Sequence, residues 1–466
     1  MSLPSELLFK SATELAEMIR KQKISCVDLT TAYLDRILAV NPSINAAVQI
    51  CGERAIQEAE DCDKLLSQQT LLGPLHGIPM TIKDSLDTEG VISTGGTAGR
   101  RDYIPDQDAT IVHRLRQAGA ILLAKTNTPE LTLSGETNNE IYGRTSNPYD
   151  LNRSPGGSSG GSAALLAAGG SALEVGSDTG GSIREPAHYC GVTGLKPTIG
   201  RIPRTGHIVP WGLGLFDELT VVGPMARYVD DIALTLPIIS GPDFIDPKVL
   251  HPASANACEE MDVNKLRIAW YTDNGVIEPC EDIRRVIASV VEGLQQSGCN
   301  IEFAPLPRIP EINECNAALR RSDHGHHIIR LLQRFGTSHP GPDLQSYLTR
   351  QHESPDIDPV LFEKIDQEKS SALQFMQQYD AIICPSSHDV ARLHGASAND
   401  AFETWSHITI YNLLGWPGIS VRGGTSENGG LPVGVQVVAA PWREDVVIAV
   451  ARKIEQLFGG FSPPEL

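Results

Sequence analysis

The sequence predicts an α/β fold, on three observations. Short apolar stretches of strand character alternate with helical stretches between residues 78 and 124. The alternation resumes at residue 266 and runs to residue 457. Hydrophobic residues make up 41% of the 466 and charged residues 20%, which allows a sizeable core and argues against disorder or a fibrous repeat. Such alternation implies a sheet that is at least partly parallel.

Taken in order, residues 11–69 read as helices, because Thr13, Leu15 and Ile19, then Leu29, Tyr33 and Ile37, recur at helical spacing until Asn41-Pro42 breaks the run. Ile78 to Ile82 reads as a strand ending at Lys83-Asp84. A helix over Asp108 to Gln117 stops at Gly119 and leads into the strand Ile121 to Ala124. The second set has strand Leu266 to Tyr271, helix Glu281 to Gln296 and strand Asn300 to Ala304. Helix Phe362 to Gln378, strands Ala381 to Cys384 and Val433 to Val438, and the amphipathic helix Glu444 to Leu457 complete it. Pro305 to Pro359 is the least regular part and is expected to be an insertion or cap.

Composition narrows the function classes. With 57 acidic and 38 basic residues the formal charge is −19, which repels phosphate backbones and makes nucleic acid an unexpected partner. The nine cysteines form no Cys-x-x-Cys pair, which disfavours a disulfide framework and fits a reducing cytoplasm. Glu6, Lys10, Glu14 and Glu17 interrupt the N-terminal apolar residues, unlike a signal peptide. No run approaches the roughly 18 apolar residues of a membrane span, so no membrane association is expected.

Chemistry concentrates in Ser154 to Gly200. Two glycine-rich turns, Gly156 to Gly161 and Gly180-Gly181, each display a serine and flank a small-residue helix and a strand. Phosphate cradling is one reading, but no Gly-Lys-Ser/Thr follows either turn. The overlapping G-x-S-x-G matches, Gly156 to Gly160 and Gly157 to Gly161, would need a strand before them, and Tyr149 to Pro155 is turn-like. A serine hydrolase without a catalytic histidine is a third reading, with the glycines shaping an oxyanion hole around Ser182. The glycines could also be tight turns only.

The blocks GGSSGGSAALLAAG, GSDTGGSIREPA and GLKP resemble the amidase signature family. GPLHGIPMTIKD (Gly73 to Asp84), YDAIICPS (Tyr379 to Ser386), NLLGWPGISV (Asn412 to Val421) and GLPVGVQVV (Gly430 to Val438) extend the resemblance in the expected order. It runs from about residue 10 to 458 and is weakest between about 240 and 375. The resemblance implies a central twisted mixed sheet covered by helices on both faces, built as a single domain over 1–466. Within it lie an N-terminal helical part to about 70, a signature core to about 235, a variable cap over about 240–375 and closing strands and helix over about 379–460.

It also implies a Ser-Ser-Lys triad that hydrolyses amides through an acyl-enzyme. The nucleophile falls on Ser182, the second serine, after a cis peptide bond, on Ser158, and the base on Lys83. The oxyanion hole falls on the backbone N–H groups of Thr179, Gly180, Gly181 and Ser182. Lys83 would have to be neutral to accept a proton through Ser158, so burial must lower its pKa from about 10.4. Without the resemblance, Lys83 reads as a strand-end lysine paired with Asp84 or Asp87, and Ser158 as a turn hydroxyl that Ser159 could replace.

The chemistry calls for no cofactor. Asp178 and Arg184 are expected to pair and hold the oxyanion loop, while His76, His188 and His207 have no role in it. Asp323 with His324, His326 and His327 lacks a zinc spacing, so no metal is expected. Pocket residues are expected from Leu131, Thr132 and Leu133, the 203–216 loop with Trp211, Leu213, Leu215 and Phe216, and parts of 305–410. Their apolar character favours an aryl or alkyl amide over a small charged one, among carboxamides, anilides and carbamates. Arg422 stands where family members often carry proline. A monomer or homodimer acting on a small amide is the leading expectation. The glutaminase subunit of a tRNA amidotransferase, and a catalytically silent binding protein on the same fold, are the alternatives.

Overall fold

The computed structural model describes residues 4–213, 218–250, 261–352, 359–396 and 402–466. Helices α1 (Ala12–Arg20), α2 (Cys26–Ile44) and α3 (Gly52–Ser67) form the N-terminal part, with strand β1 (Ala47–Ile50) between the last two. Ser11 and Glu14 cap α1 reciprocally, a local signature that starts the helix where the apolar period begins. The expectation of helix throughout 11–69 is therefore corrected at β1. Asn45 turns left-handed at φ 48° and ends α2, leaving four residues to pair antiparallel with β3 (Ile121–Thr126).

Next come β2 (Pro79–Lys83), α4 (Thr110–Gln117) and β3, then the two-residue pair β4 (Asn138–Asn139) and β5 (Gly143–Arg144). The signature supplies α5 (Gly160–Ala167), β6 (Leu173–Asp178), α6 (Arg184–Tyr189) and β7 (Thr193–Lys196). β8 (Val221–Ala226), α7 (Val229–Ile239), β9 (Arg267–Trp270), α8 (Glu281–Gln296) and β10 (Asn300–Phe303) follow. The segment expected to be irregular holds three helices, α9 (Ile309–Arg321), α10 (His326–Phe335) and α11 (Pro342–His352), before α12 (Leu361–Phe375). β11 (Ala381–Pro385), α13 (Ser406–Leu413), β12 (Gly418–Thr425), β13 (Pro432–Val438) and α14 (Glu444–Phe458) close the chain.

Eleven strands form one mixed sheet in the order β1-β3-β2-β6-β8-β7-β12-β13-β11-β9-β10. Helices cover both faces, as the alternation along β13 shows. Gly434 meets His188 of α6 on one side, whereas Val435 lies with Val286 and Val290 of α8 around Gly423 on the other. The main core spans the N-terminal helices, the sheet and α14, so early and late segments share one interior. A second cluster joins α9, α12 and α13 to β11 through Ile312, Leu319, Ile365, Ile382 and Ile410. No described helix is long and apolar enough to cross a membrane, and the eight described cysteines are free thiols.

The sheet positions the chemistry through one register. β2 and β6 run parallel, with Met80 opposite Leu173 and Ile82 opposite Val175. Their carboxyl ends therefore lie side by side and bring Lys83 next to Ser177.

Candidate active site

Lys83, buried at the end of β2, is surrounded by hydroxyls. Its Nζ lies 2.7 Å from Ser158 Oγ, 2.9 Å from Ser159 Oγ and 3.0 Å from Ser177 Oγ. Burial holds its pKa well below the usual lysine value, against the pull of the Asp178 and Glu174 carboxylates. Glu174 is itself pushed up to about 7 by burial, although Thr81 Oγ1 donates to it at 2.6 Å. The Gly157-Ser158 peptide is cis, as the resemblance implies. Ser159 N–H donates to the Ser182 carbonyl at 3.1 Å and ties the two glycine-rich turns together.

Close packing explains the small residues of this segment. A Cβ on Gly157 would lie 2.5 Å from the Ser134 carbonyl oxygen, and one on Gly161 would lie 2.5 Å from Asn127 N. Only glycine lets the turn and the start of α5 approach these backbones.

The loop from Asp178 to Ser182 is held from beneath. The Asp178 carboxylate accepts from Gly181 N–H at 2.8 Å and Ile183 N–H at 3.1 Å, and the Arg184 guanidinium donates to both its oxygens. Burial alone would raise the Asp178 pKa, but Arg184 and Asn412 hold it below the usual carboxylate range. Arg184 also donates to Gln436 and Asn412 at 2.7 Å each. The expected Asp178–Arg184 pair is thus present, both side chains at 0% exposure.

Ser182 opens onto a cavity of about 700 Å³, together with Gly157, Thr179 and Gly180. Of the oxyanion set expected from the sequence, three members line this cavity. Gly181 N–H is engaged by Asp178, and Gly181 is not among the cavity-lining residues. Its φ of 105° suits glycine, and an added Cβ would lie 1.9 Å from Ile408 Cδ1.

Thr132 and Leu133 line the cavity as expected; Leu131 and Trp211 do not. Leu131 is fully buried in a separate apolar cluster with Ile208, Val209, Ile328 and Leu332; both it and Thr132 have left-handed φ, 51° and 62°. Trp211 is 37% exposed, away from the cavity wall. Leu213 packs on the same cluster as Leu131, while Leu215 and Phe216 lie outside the described residues. Of the apolar stretch Ile408 to Leu414 only Thr409 reaches the cavity; the rest is core.

Most of the rest of the wall comes from the 305–410 range expected to contribute, through residues not individually singled out, with Glu136 and Arg144 added from outside it. Phe402, Trp405 and Tyr347 supply rings, and Arg144, Arg320, Arg321 and Arg350 line the cavity together with Glu136, Asp343 and Glu403. Ser177 was also missed, although its place just before Asp178 in GSDTGGS, together with the parallel β2/β6 pairing, points to Lys83.

The remaining residues fall into structural places. His188 and His207 are buried, which lowers them to about 4 and about 3, and His76 bonds Leu72 N–H and the Cys62 carbonyl. His327 Nδ1 lies 2.7 Å from Asp323 Oδ2, and no group of three metal-ligating side chains occurs among the described residues. Arg422 reaches the carbonyls of Gly424 and Gly460 at 3.4 Å, beside a bulge in β12 and away from the cavity.

The Amidase family model matches residues 28–448. The chain belongs to the amidase signature family. It is 33% identical to a glutamyl-tRNA(Gln) amidotransferase subunit of Moorella thermoacetica, over 97% of each chain. It is equally 33% identical to an acylamidase of Rhodococcus erythropolis, over 96% of this chain and 94% of that one. In structure it superposes on fatty acid amide hydrolase with a TM-score of 0.88 at 27% identity, over 98% of this chain and 87% of the other. As an amidase signature enzyme it is a hydrolase of C–N amide bonds.

Proposed function

We propose that the amide is cleaved by Ser182, with Ser158 as proton relay and Lys83 as base. The observation that carries this reading is the buried Lys83 amine, 2.7 Å from the Oγ of Ser158, whose turn bonds the Ser182 carbonyl through Ser159 N–H. A neutral lysine accepts a proton from Ser158, which takes one from Ser182 as its Oγ attacks the carbonyl carbon. The N–H groups of Thr179, Gly180 and Ser182 receive the developing oxyanion. The relay then returns the proton to the leaving nitrogen, and water deacylates the enzyme by the same path.

The cavity wall supports a substrate class other than the apolar one read from the sequence. Rings at Phe402, Trp405 and Tyr347 and the arginines Arg144, Arg321 and Arg350 suit a carboxamide, anilide or carbamate that carries both a flat or aliphatic part and an acidic group. A matched substrate panel tests this: amides with and without a carboxylate, scored by release of ammonia or amine. The carboxylated members should have the lower KM, and Arg350→Met should remove that advantage; equal KM values across the pairs would refute it.

A second reading is favoured by the relatives that are named as glutamyl-tRNA(Gln) amidotransferase subunits. A wall bearing both guanidinium and carboxylate groups also suits a zwitterionic amide such as glutamine. This reading requires partner subunits. Ammonia released from glutamine alone, and only when partners are added, would establish it over the stand-alone amidase.

A further inference from the structure

Three peptide groups of the oxyanion loop have their carbonyl ends held by the protein. The Asp178 carbonyl accepts from Asn412 Nδ2 at 3.4 Å, the Thr179 carbonyl from Arg320 Nη2, and the Gly181 carbonyl from Glu185 N–H at 2.8 Å. In a trans peptide the C=O of one residue and the N–H of the next share a plane and point in opposite directions. Holding these carbonyls therefore aims the N–H groups of Thr179, Gly180 and Ser182, the loop residues that line the cavity.

Arg320 differs from the other two holders because it comes from the cap, at the end of α9. Its placement is braced. Nε donates to Asn316 Oδ1 at 3.2 Å, Asn316 Nδ2 donates to the Thr409 carbonyl at 2.8 Å, and the guanidinium lies 5.5 Å from the centre of the Phe402 ring. The approach to the loop is close as well. A Cβ on Gly180 would lie 2.9 Å from Arg320 Nη2.

We propose that Arg320 is a positioning residue of the reaction, orienting and polarising the Thr179–Gly180 peptide so that Gly180 N–H meets the oxyanion. A cationic donor on the carbonyl draws electron density through the peptide and makes the N–H at its far end a stronger donor. The cap thereby contributes to the chemical step as well as to the cavity wall. This inference rests on Ser182 being the nucleophile.

Acylation by a fluorophosphonate tests it, since the phosphoryl oxygen of the adduct occupies the place of the oxyanion. In Arg320→Met the maximal acylation rate should fall about 10- to 100-fold, somewhat less than the loss from deleting an oxyanion donor outright. The half-saturating probe concentration and the thermal unfolding midpoint should stay near wild type. Arg320→Lys, which keeps a charged donor, should recover most of the rate. Asn316→Ala, a milder change that loosens the brace, should give a smaller loss of the same kind. An unchanged maximal rate in Arg320→Met and Asn316→Ala would overturn the proposal, as would a loss confined to probe affinity, which would make Arg320 a binding residue only. Failure of the Ser182 reading looks different: the wild-type protein would then form no adduct at Ser182.

Discussion

At Lys83 a charge-bearing side chain sits where water cannot solvate its ammonium, among three serine hydroxyls that serve a neutral amine equally well. The depressed pKa fixes the sign of the pH dependence. In the proposed mechanism acylation requires neutral Lys83, so the rate should be low on the acid side, rise as pH passes through the lowered pKa, and level above it. Lys83→Ala should lose most activity and that dependence together, as measured by fluorophosphonate labelling across pH. Glu174→Gln removes a carboxylate that favours the charged lysine, so the rising limb should move to lower pH. A limb that stays in place, or moves up, would show that Glu174 does not act on the base. The three serines differ in how far the sequence exposes them. Ser158 stands out through motif spacing and Ser159 as its neighbour, whereas Ser177, though it lies in the GSDTGGS block, is signalled only once the β2/β6 strand pairing is known.

At the scale of elements, the Asp178–Ser182 loop, proposed to bind the oxyanion, depends on the buried Asp178–Arg184 ion pair at the end of β6 and the start of α6. Removing one partner of such a pair leaves an uncompensated charge in the interior, at a cost of about 3–5 kcal/mol. Arg184→Met should therefore lower the unfolding free energy by about that amount in denaturant titration, and slow acylation as well. A stability within 1 kcal/mol of wild type, roughly the effect of an ordinary substitution, would contradict this account of the pair. The strands β2, β3, β9, β11 and β13 and helices α4, α8, α12 and α14 are legible in the sequence because each carries a clear period or an apolar run. β1 is not, since Ala47–Ile50 is too short to separate from the helices around it. The helices α9 to α11 look irregular in the sequence because turns at Ser322–Gly325 and Gly336–Gly341 break their period into short pieces. Leu131 shows the limit most plainly: its neighbours Thr132 and Leu133 reach the cavity, while Leu131 is buried among Ile208, Val209 and Ile328, a placement set by packing that nothing about a leucine signals.

For the whole molecule, the single mixed sheet explains why the signature blocks are spread over so much of the chain. Lys83 lies on β2, Ser158 and Ser182 flank α5 and β6, and the Asn412 and Gln436 groups that secure Arg184 arrive from α13 and β13. The family is readable from motif order, and so are the positions proposed for the triad. Of the cavity, Thr132, Leu133 and the 305–410 range are readable, but the individual wall residues of α9, α11 and the 402–409 segment are not, because their side-chain directions follow from packing. The central claim, that Ser182 is the nucleophile, is tested most directly by peptide mapping of the fluorophosphonate-treated protein by mass spectrometry. The account predicts one stoichiometric adduct on Ser182, lost in Ser182→Ala and slow to form in Lys83→Ala. An adduct on another residue, or labelling that persists in Ser182→Ala, would contradict it.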